Sequence, residues 1–147
     1  MDETDRAVGY SRTQGVLDGL KAYAVESIYM ECCDFSFLDA QNATWKLVSE
    51  HEDIDAIICA TDRIAFGAYR VLKKKGYSIP DDVSVVGFGG YEEGELISPE
   101  LTTLMFDSYE MGELAAETIT DMVEGRKVHP KQEIAHTFIE RNSVNAR

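Results

Sequence analysis

A chain of 147 residues, 44% of them hydrophobic, is long enough to build one ordinary hydrophobic core. Its formal charge of −13 describes a surface that repels phosphate backbones. With no basic helix or helix-turn-helix pattern, this chain is not expected to bind DNA by itself. The apolar runs are too short to span a bilayer and no charged-then-apolar leader precedes a cleavage site, so a cytoplasmic protein without membrane contact is expected. Three cysteines, with Cys32 and Cys33 adjacent, fit reduced thiols better than a disulfide scaffold, and no Cys/His spacing suggests zinc.

In chain order, Met1 to Arg6 is polar and reads as a frayed end. A helix is predicted from Tyr10 or Ser11 to about Ala24, with Val16, Leu20 and Tyr23 on its inner face. Gly15 and Gly19, four apart in a polar context, suggest close approach of that helix to a sheet. Ser27 to Met30 reads as a short strand, and Phe37 to His51 as a second helix carrying Trp45, the single tryptophan. Asp55 to Ala60 is an apolar run without polar alternation, which suits a strand covered on both faces. Asp62 is placed to cap a helix reaching about Lys75, with Ile64, Ala68, Val71 and Leu72 on one face. Lys73, Lys74 and Lys75 favour the negative end of its dipole, and Gly76 stops it.

Val83 to Phe88 is the next buried strand, ended by Gly89 and Gly90. The β-α-β unit so formed predicts parallel strands with a crossover helix. Beyond it, Leu101 to Phe106 is extended, and Asp107 caps a helix to about Glu124. Met111, Ala115, Ile119 and Met122 share one face of that helix, and Gly125 ends it. Glu133 to Ile139 is a last strand, with Ile134, His136 and Phe138 on one side.

In open parallel sheets, ligands bind beyond the carboxyl ends of the strands. Here those ends are Thr61-Asp62 and Gly89-Gly90-Tyr91-Glu92. Arg12, at the start of the first helix, offers planar paired donors suited to sugar hydroxyls or phosphate, or pairs on the surface with Asp18. Phe35 follows a strand end and suits stacking on a pyranose ring, or is simply core. Asp62 is read as a helix cap. The Gly89-Gly90 turn exposes amides suited to an anion, or only needs positive φ. Phe66 projects from the polar side of its helix near Arg63, Arg70 and Lys73. The three histidines are scattered, no nucleotide-binding glycine loop is present, and the acidic pairs read as solvated loop charge, so no catalytic residue is assigned.

Three segments, ATDRIAFGA, IPDDVSVVGFGG and SPELTTL, occur in an order and spacing that resemble the effector-binding domain of LacI/GalR-type transcriptional repressors. The resemblance runs from about Val8 to Val144, and GFGGYEEGELISPELTTL looks most like sucrose-operon repressors. It implies a doubly wound α/β fold with a parallel sheet, mainly the second lobe of a type I periplasmic-binding-protein-like domain. Residues 1–106 and 127–147 would form that lobe without its first strand. The helix of 107–126 would belong to the other lobe, and a DNA-reading headpiece would lie upstream.

By the same resemblance, a sugar or phosphosugar effector would be contacted by Arg12, Phe35, Thr61, Asp62, Gly89 and Tyr91. Thr61 matches the position where Asn or Thr meets effector hydroxyls. Gly89 departs from the pattern, since most relatives carry an acidic residue there; this raises the expectation of an effector that carries phosphate or is read mainly by the other residues. A homodimer would form through Phe66, Arg70 and Ile97. Operator DNA would be reached only through the headpiece, with no cofactor, no metal and no bond broken. The rival readings are a periplasmic sugar-binding protein and a doubly wound enzyme.

Overall fold

A computed structural model describes residues 9–130 and 132–145, so the expectation for Met1 to Arg6 lies outside the described residues. The elements are α1 (Ser11–Ala22), α2 (Phe37–Glu50), β1 (Ala56–Ile58), α3 (Asp62–Lys75), β2 (Ser84–Gly89), α4 (Glu93–Leu96), β3 (Thr102–Phe106), α5 (Ser108–Val123) and β4 (His136–Ile139). The strands form one sheet in the order β1-β2-β3-β4. β1, β2 and β3 run parallel, as the β-α-β reading requires. β4 returns antiparallel to β3, pairing Thr103 with Ile139, so the sheet is parallel with one antiparallel edge strand.

The central unit forms for local reasons. Ile57 is buried between its strand neighbours, and Ile64, Ala68, Val71 and Leu72 of α3 are all buried against it in one cluster. Gly76 ends α3 at φ 87°, a left-handed cap that glycine adopts without steric cost. The cap falls one residue earlier than read. Thr61 sits in extended backbone, and its hydroxyl accepts the Ile64 amide at 3.3 Å, so Thr61 is the N-cap and Asp62 the first helical residue.

α2 adds Ala40, Thr44 and Val48 to the same buried layer. Its N-terminus is held by Ser36, which accepts the Asp39 amide. α2 and α3 touch closely at Gly67, where an added Cβ would stand 2.7 Å from the Cβ of Ala40. Phe66 is half-buried and packed against the cluster, so it is not the exposed aromatic the helix periodicity suggested. Leu96, which the sequence did not single out, is 84% exposed instead.

The opposite face is less completely covered. Val16 and Leu20 of α1 line a groove of about 430 Å³ together with Val25, Ile28, Ala56 and Ile58. Ser27, Ile28 and Tyr29 line the same groove, and Ser27–Met30 forms no ladder among the described residues, so the predicted strand is absent. Tyr23 is 88% exposed because α1 ends at Ala22 and the chain turns through Ala24 at φ 54°. Cβ atoms at Gly15 and Gly19 would meet nothing within 4 Å, so these glycines make no close helix-to-sheet contact.

Asp107 caps α5 by accepting the Tyr109 and Glu110 amides, as read. The apolar stripe of α5 is present, but no residue of the helix is buried; Ile119 and Met122 remain more than half exposed. The sheet is closed off by the C-terminal segment. Ser143 donates its hydroxyl to the Val85 carbonyl and accepts the Thr102 amide. Arg141 reaches the Leu101 carbonyl and Glu95.

Candidate functional site

The carboxyl ends of β1 and β2 carry most of the residues singled out by sequence. Arg12 enters from the first turn of α1 and its Nη1 donates to the Ala60 carbonyl at 2.6 Å, one residue before Thr61. The guanidinium lies over Phe88, 3.9 Å from the ring centroid, and 5.7 Å from that of Phe106. The two rings are tilted against each other at 5.3 Å. A cation seated on an aromatic face gains about 0.5–2 kcal/mol, more as water is removed. Phe88 and Phe106 were missed as site residues. The signal was present in β2, where alternation puts Phe88 on the face opposite the buried Val85.

Below this arrangement, a small pocket of about 90 Å³ is bounded by Arg12, Thr13, Val16, Leu17, Ile58 and Phe88, among others. It is far smaller than the roughly 300–1,000 Å³ that small-molecule sites occupy. Cys59 lies on its wall; burial pushes that thiol up to about 12, so it stays protonated and unreactive near neutral pH.

Asp62 is fully buried, which corrects both roles expected of it. It is neither the cap of α3 nor accessible to a ligand. Its Oδ1 accepts the Thr103 hydroxyl at 2.6 Å and its Oδ2 accepts the Tyr91 amide at 2.7 Å. Thr103 Oγ1 in turn accepts the Gly90 amide at 3.3 Å. One carboxylate thus ties the start of α3 to β3 and to the loop that leaves β2. Gly87 is small because Asp62 passes beside it: an added Cβ would stand 2.2 Å from Oδ1.

The Gly89-Gly90 turn has positive φ at both positions, 141° and 73°. A Cβ at Gly90 would collide with Met105, and one at Gly89 with the ring of Tyr91. Of the amides this turn was expected to offer an anion, that of Gly90 is bound internally, as is that of Tyr91 which follows it. The Tyr91 ring itself is 44% exposed. Phe35 is 37% exposed, two residues beyond Cys33, which is buried in the cluster that also holds Cys59 and Ala60. Thr61 is half-buried at the rim. Arg12, Thr61, Tyr91 and the glycine turn therefore gather at one end of the sheet, and Phe35 emerges from the core near Cys59.

Phe66, Arg70 and Ile97 lie elsewhere. Arg70 is exposed on α3, and Phe66 and Ile97 are half-buried against the common cluster. Lys73 donates to the Ser98 carbonyl, tying the last turn of α3 to the segment after Ile97. Among the described residues, no three His, Cys, Asp or Glu side chains are grouped to hold a metal ion.

Comparison with known proteins gives this geometry a context. The profile of the periplasmic binding protein-like domain matches residues 1–144. The transcriptional regulator CelR of Thermobifida fusca is 28% identical over 137 residues, covering 92% of this chain and 40% of CelR. A solved structure of a LacI family transcriptional regulator from Enterococcus faecium with bound ribose superposes with a TM-score of 0.82 at 26% identity, over 92% of this chain and 51% of that one. A CelR–cellobiose complex superposes with a TM-score of 0.86 at 28% identity, over 92% of this chain and 42% of that one. The chain spans about half, or less, of the length of these relatives. It belongs to the periplasmic-binding-protein-like domain family, in the form carried by the LacI-type transcriptional regulators.

Proposed function

We propose that this chain is the effector-sensing part of a LacI-type repressor and that it binds a saccharide at the carboxyl ends of β1 and β2. The observation that carries the reading is Arg12, laid on Phe88 and joined to the Ala60 carbonyl just beyond β1, one residue before Thr61. A guanidinium, a hydroxyl and aromatic faces suit the hydroxyls and apolar ring faces of a sugar. The small volume under Arg12 fits half a cleft, with a second lobe supplying the opposing wall. We assign the helix of residues 107–126 to the junction with that lobe, because its apolar stripe is uncovered among the described residues.

Sensing requires that the effector bind one arrangement of the lobes more tightly than the other; no bond is made or broken. Contact with operator DNA belongs to a headpiece outside these residues, since a charge of −13 opposes direct binding. Such a regulator works in the cytoplasm; no helix among the described residues is long and apolar enough to cross a membrane. Titration calorimetry with ribose, lactose, cellobiose and sucrose tests the reading. Arg12→Ala is expected to weaken the bound sugar by about 1.5–3 kcal/mol, the range for hydrogen bonds to charged groups. Equal affinity in the variant would remove Arg12 from the site.

Phe66, Arg70 and Ile97 are proposed to form a two-fold interface, with the exposed Leu96 extending the patch. Light scattering is expected to give a dimer for the wild type and half that mass for Phe66→Glu. Because Phe66 also touches the core, Leu96→Glu supplies a variant that leaves packing intact. Unchanged mass in both would remove this face from the interface.

A further inference from the structure

Among the described residues β1 is an edge of the sheet, paired only with β2. The Asp55 carbonyl accepts the Ser84 amide and the Cys59 amide donates to the Val86 carbonyl, so Asp55, Ile57 and Cys59 turn their backbone groups toward β2. By strand alternation, those of Ala56, Ile58 and Ala60 point the other way. Arg12 takes the Ala60 carbonyl on that side, while the N–H and C=O of Ala56 and Ile58 bond to no described residue. Both residues line the groove of about 430 Å³, and Ile58 is 47% exposed there. Ser27, Ile28 and Tyr29 line the same groove, and their backbone also makes no hydrogen bond among the described residues. Val16 and Leu20 of α1 add apolar wall. The charge of the lining has one sign: it carries Glu26, Asp53 and Asp55 and no Lys or Arg. Asp53 and Asp55 precede β1 and mark its amino end, whereas Arg12 sits at its carboxyl end. Lys21, Lys46 and His51 of the flanking helices lie outside the lining; Lys46 pairs with Glu31 and His51 stacks on Tyr29.

We propose that this groove accepts a strand from another polypeptide: an extended segment, apolar along its length and basic at its amino end, that adds to the sheet parallel to β1. An edge strand with unpaired backbone groups is a template for such addition, in which main-chain bonds supply affinity and side-chain fit supplies choice. The three residues of β1 offer roughly 10 Å of pairing at about 3.3 Å per residue. Parallel addition sets the basic end beside Glu26 and Asp53; the same segment laid antiparallel would bring its cations to Arg12. A second copy of the chain fits less well, because its β1 edge carries its own α1 alongside and the groove is already walled by one such helix. Val16, Ile28 and Ile58 line both this groove and the small pocket under Arg12, so a seated strand also bears on the saccharide end of the sheet.

Amide hydrogen exchange on the isotope-labelled 147-residue chain tests this with the peptide acetyl-Lys-Arg-Val-Ala-Val-Val-amide. At about ten times the Kd read from amide chemical shifts, the Ala56 and Ile58 amides are expected to exchange roughly tenfold more slowly. The shifts of Ser27, Ile28 and Tyr29 should move with them. A peptide with Glu-Glu in place of Lys-Arg is expected to bind at least about tenfold more weakly, and Glu26→Gln with Asp53→Asn should narrow that difference. A peptide with proline in place of all three valines has lost the donors a ladder needs and should protect neither amide. Ala56→Pro removes an outward N–H and leaves the ladder to β2, so it should abolish protection at Ile58. Absence of protection at millimolar peptide overturns the proposal, as does equal binding of the proline peptide. Equal binding of the Glu-Glu peptide overturns the charge and direction assigned to the segment. Protection of these amides without peptide, rising with protein concentration, gives the groove to a second copy and overturns the proposal as well.

Discussion

Asp62→Ala is expected to lower the stability of the domain by about 3 kcal/mol, because one buried and one part-buried donor lose their acceptor together. The Tyr91 amide and the Thr103 hydroxyl both point at the carboxylate that the substitution removes. Each orphaned buried donor costs roughly 1–3 kcal/mol, and the loss of buried side-chain volume adds to it. In a domain of this size the change corresponds to a fall of about 10 °C in melting temperature. Urea denaturation is the direct check: the midpoint should fall with little change in slope. Hydrogen exchange should show the Gly90 and Tyr91 amides opening before β2 and β3 do, since the carboxylate is what pins the loop to the sheet. A variant as stable as the wild type would mean that water or a side chain had replaced both bonds.

The same residue shows where sequence reasoning reached its limit. Thr61 and Asp62 are both good cap residues, and the choice between them depends on which side chain the fold needs elsewhere. Asp62 is claimed by Tyr91, 29 residues away, and by Thr103, 41 residues away, so the hydroxyl of Thr61 is left to close the helix. No local pattern carries that information. The β1-α3-β2 unit was legible because each of its signals is local: an apolar run, one buried helical face, three terminal lysines and a glycine at φ 87°. Its strand ends, and hence the place of Arg12, Thr61 and Tyr91, followed from topology.

What failed depended on neighbours. Ser27–Met30 has the composition of a strand, but it forms no ladder among the described residues and lines a groove beside β1 instead. The stripe on α5 has the right period and none of its residues is buried, because periodicity reports that a face is apolar and not what it meets. Gly15 and Gly19 looked like contact points and face open space. Phe66 looked exposed because its helix face carries charged residues, yet it packs against the core. Gly87, by contrast, was unremarked inside an apolar strand and is the glycine the site depends on most.

Gly87→Ala is expected to cost about 3 kcal/mol, at the upper end of overpacking effects, and to do so through Asp62. The new methyl would stand 2.2 Å from Oδ1 of Asp62 and 2.8 Å from Cδ2 of Leu101, both on fully buried side chains. A flexible surface chain would step aside, but Asp62 is buried and held by two hydrogen bonds. The carboxylate must therefore give up Thr103 or Tyr91, and the glycine turn should loosen with it. A double-mutant cycle separates this from a general disturbance of the sheet. Once Asp62→Ala has removed the carboxylate, the methyl introduced by Gly87→Ala has room, so the second substitution should cost less than it does alone by about 1 kcal/mol or more. The relief should stay incomplete because the contact with Leu101 remains. Strict additivity of the two substitutions, measured by urea denaturation, would show that Gly87 is small for the sake of Leu101 alone and that the carboxylate is free to move. In that event Asp62 would not be what holds the loop at the mouth of the site in place.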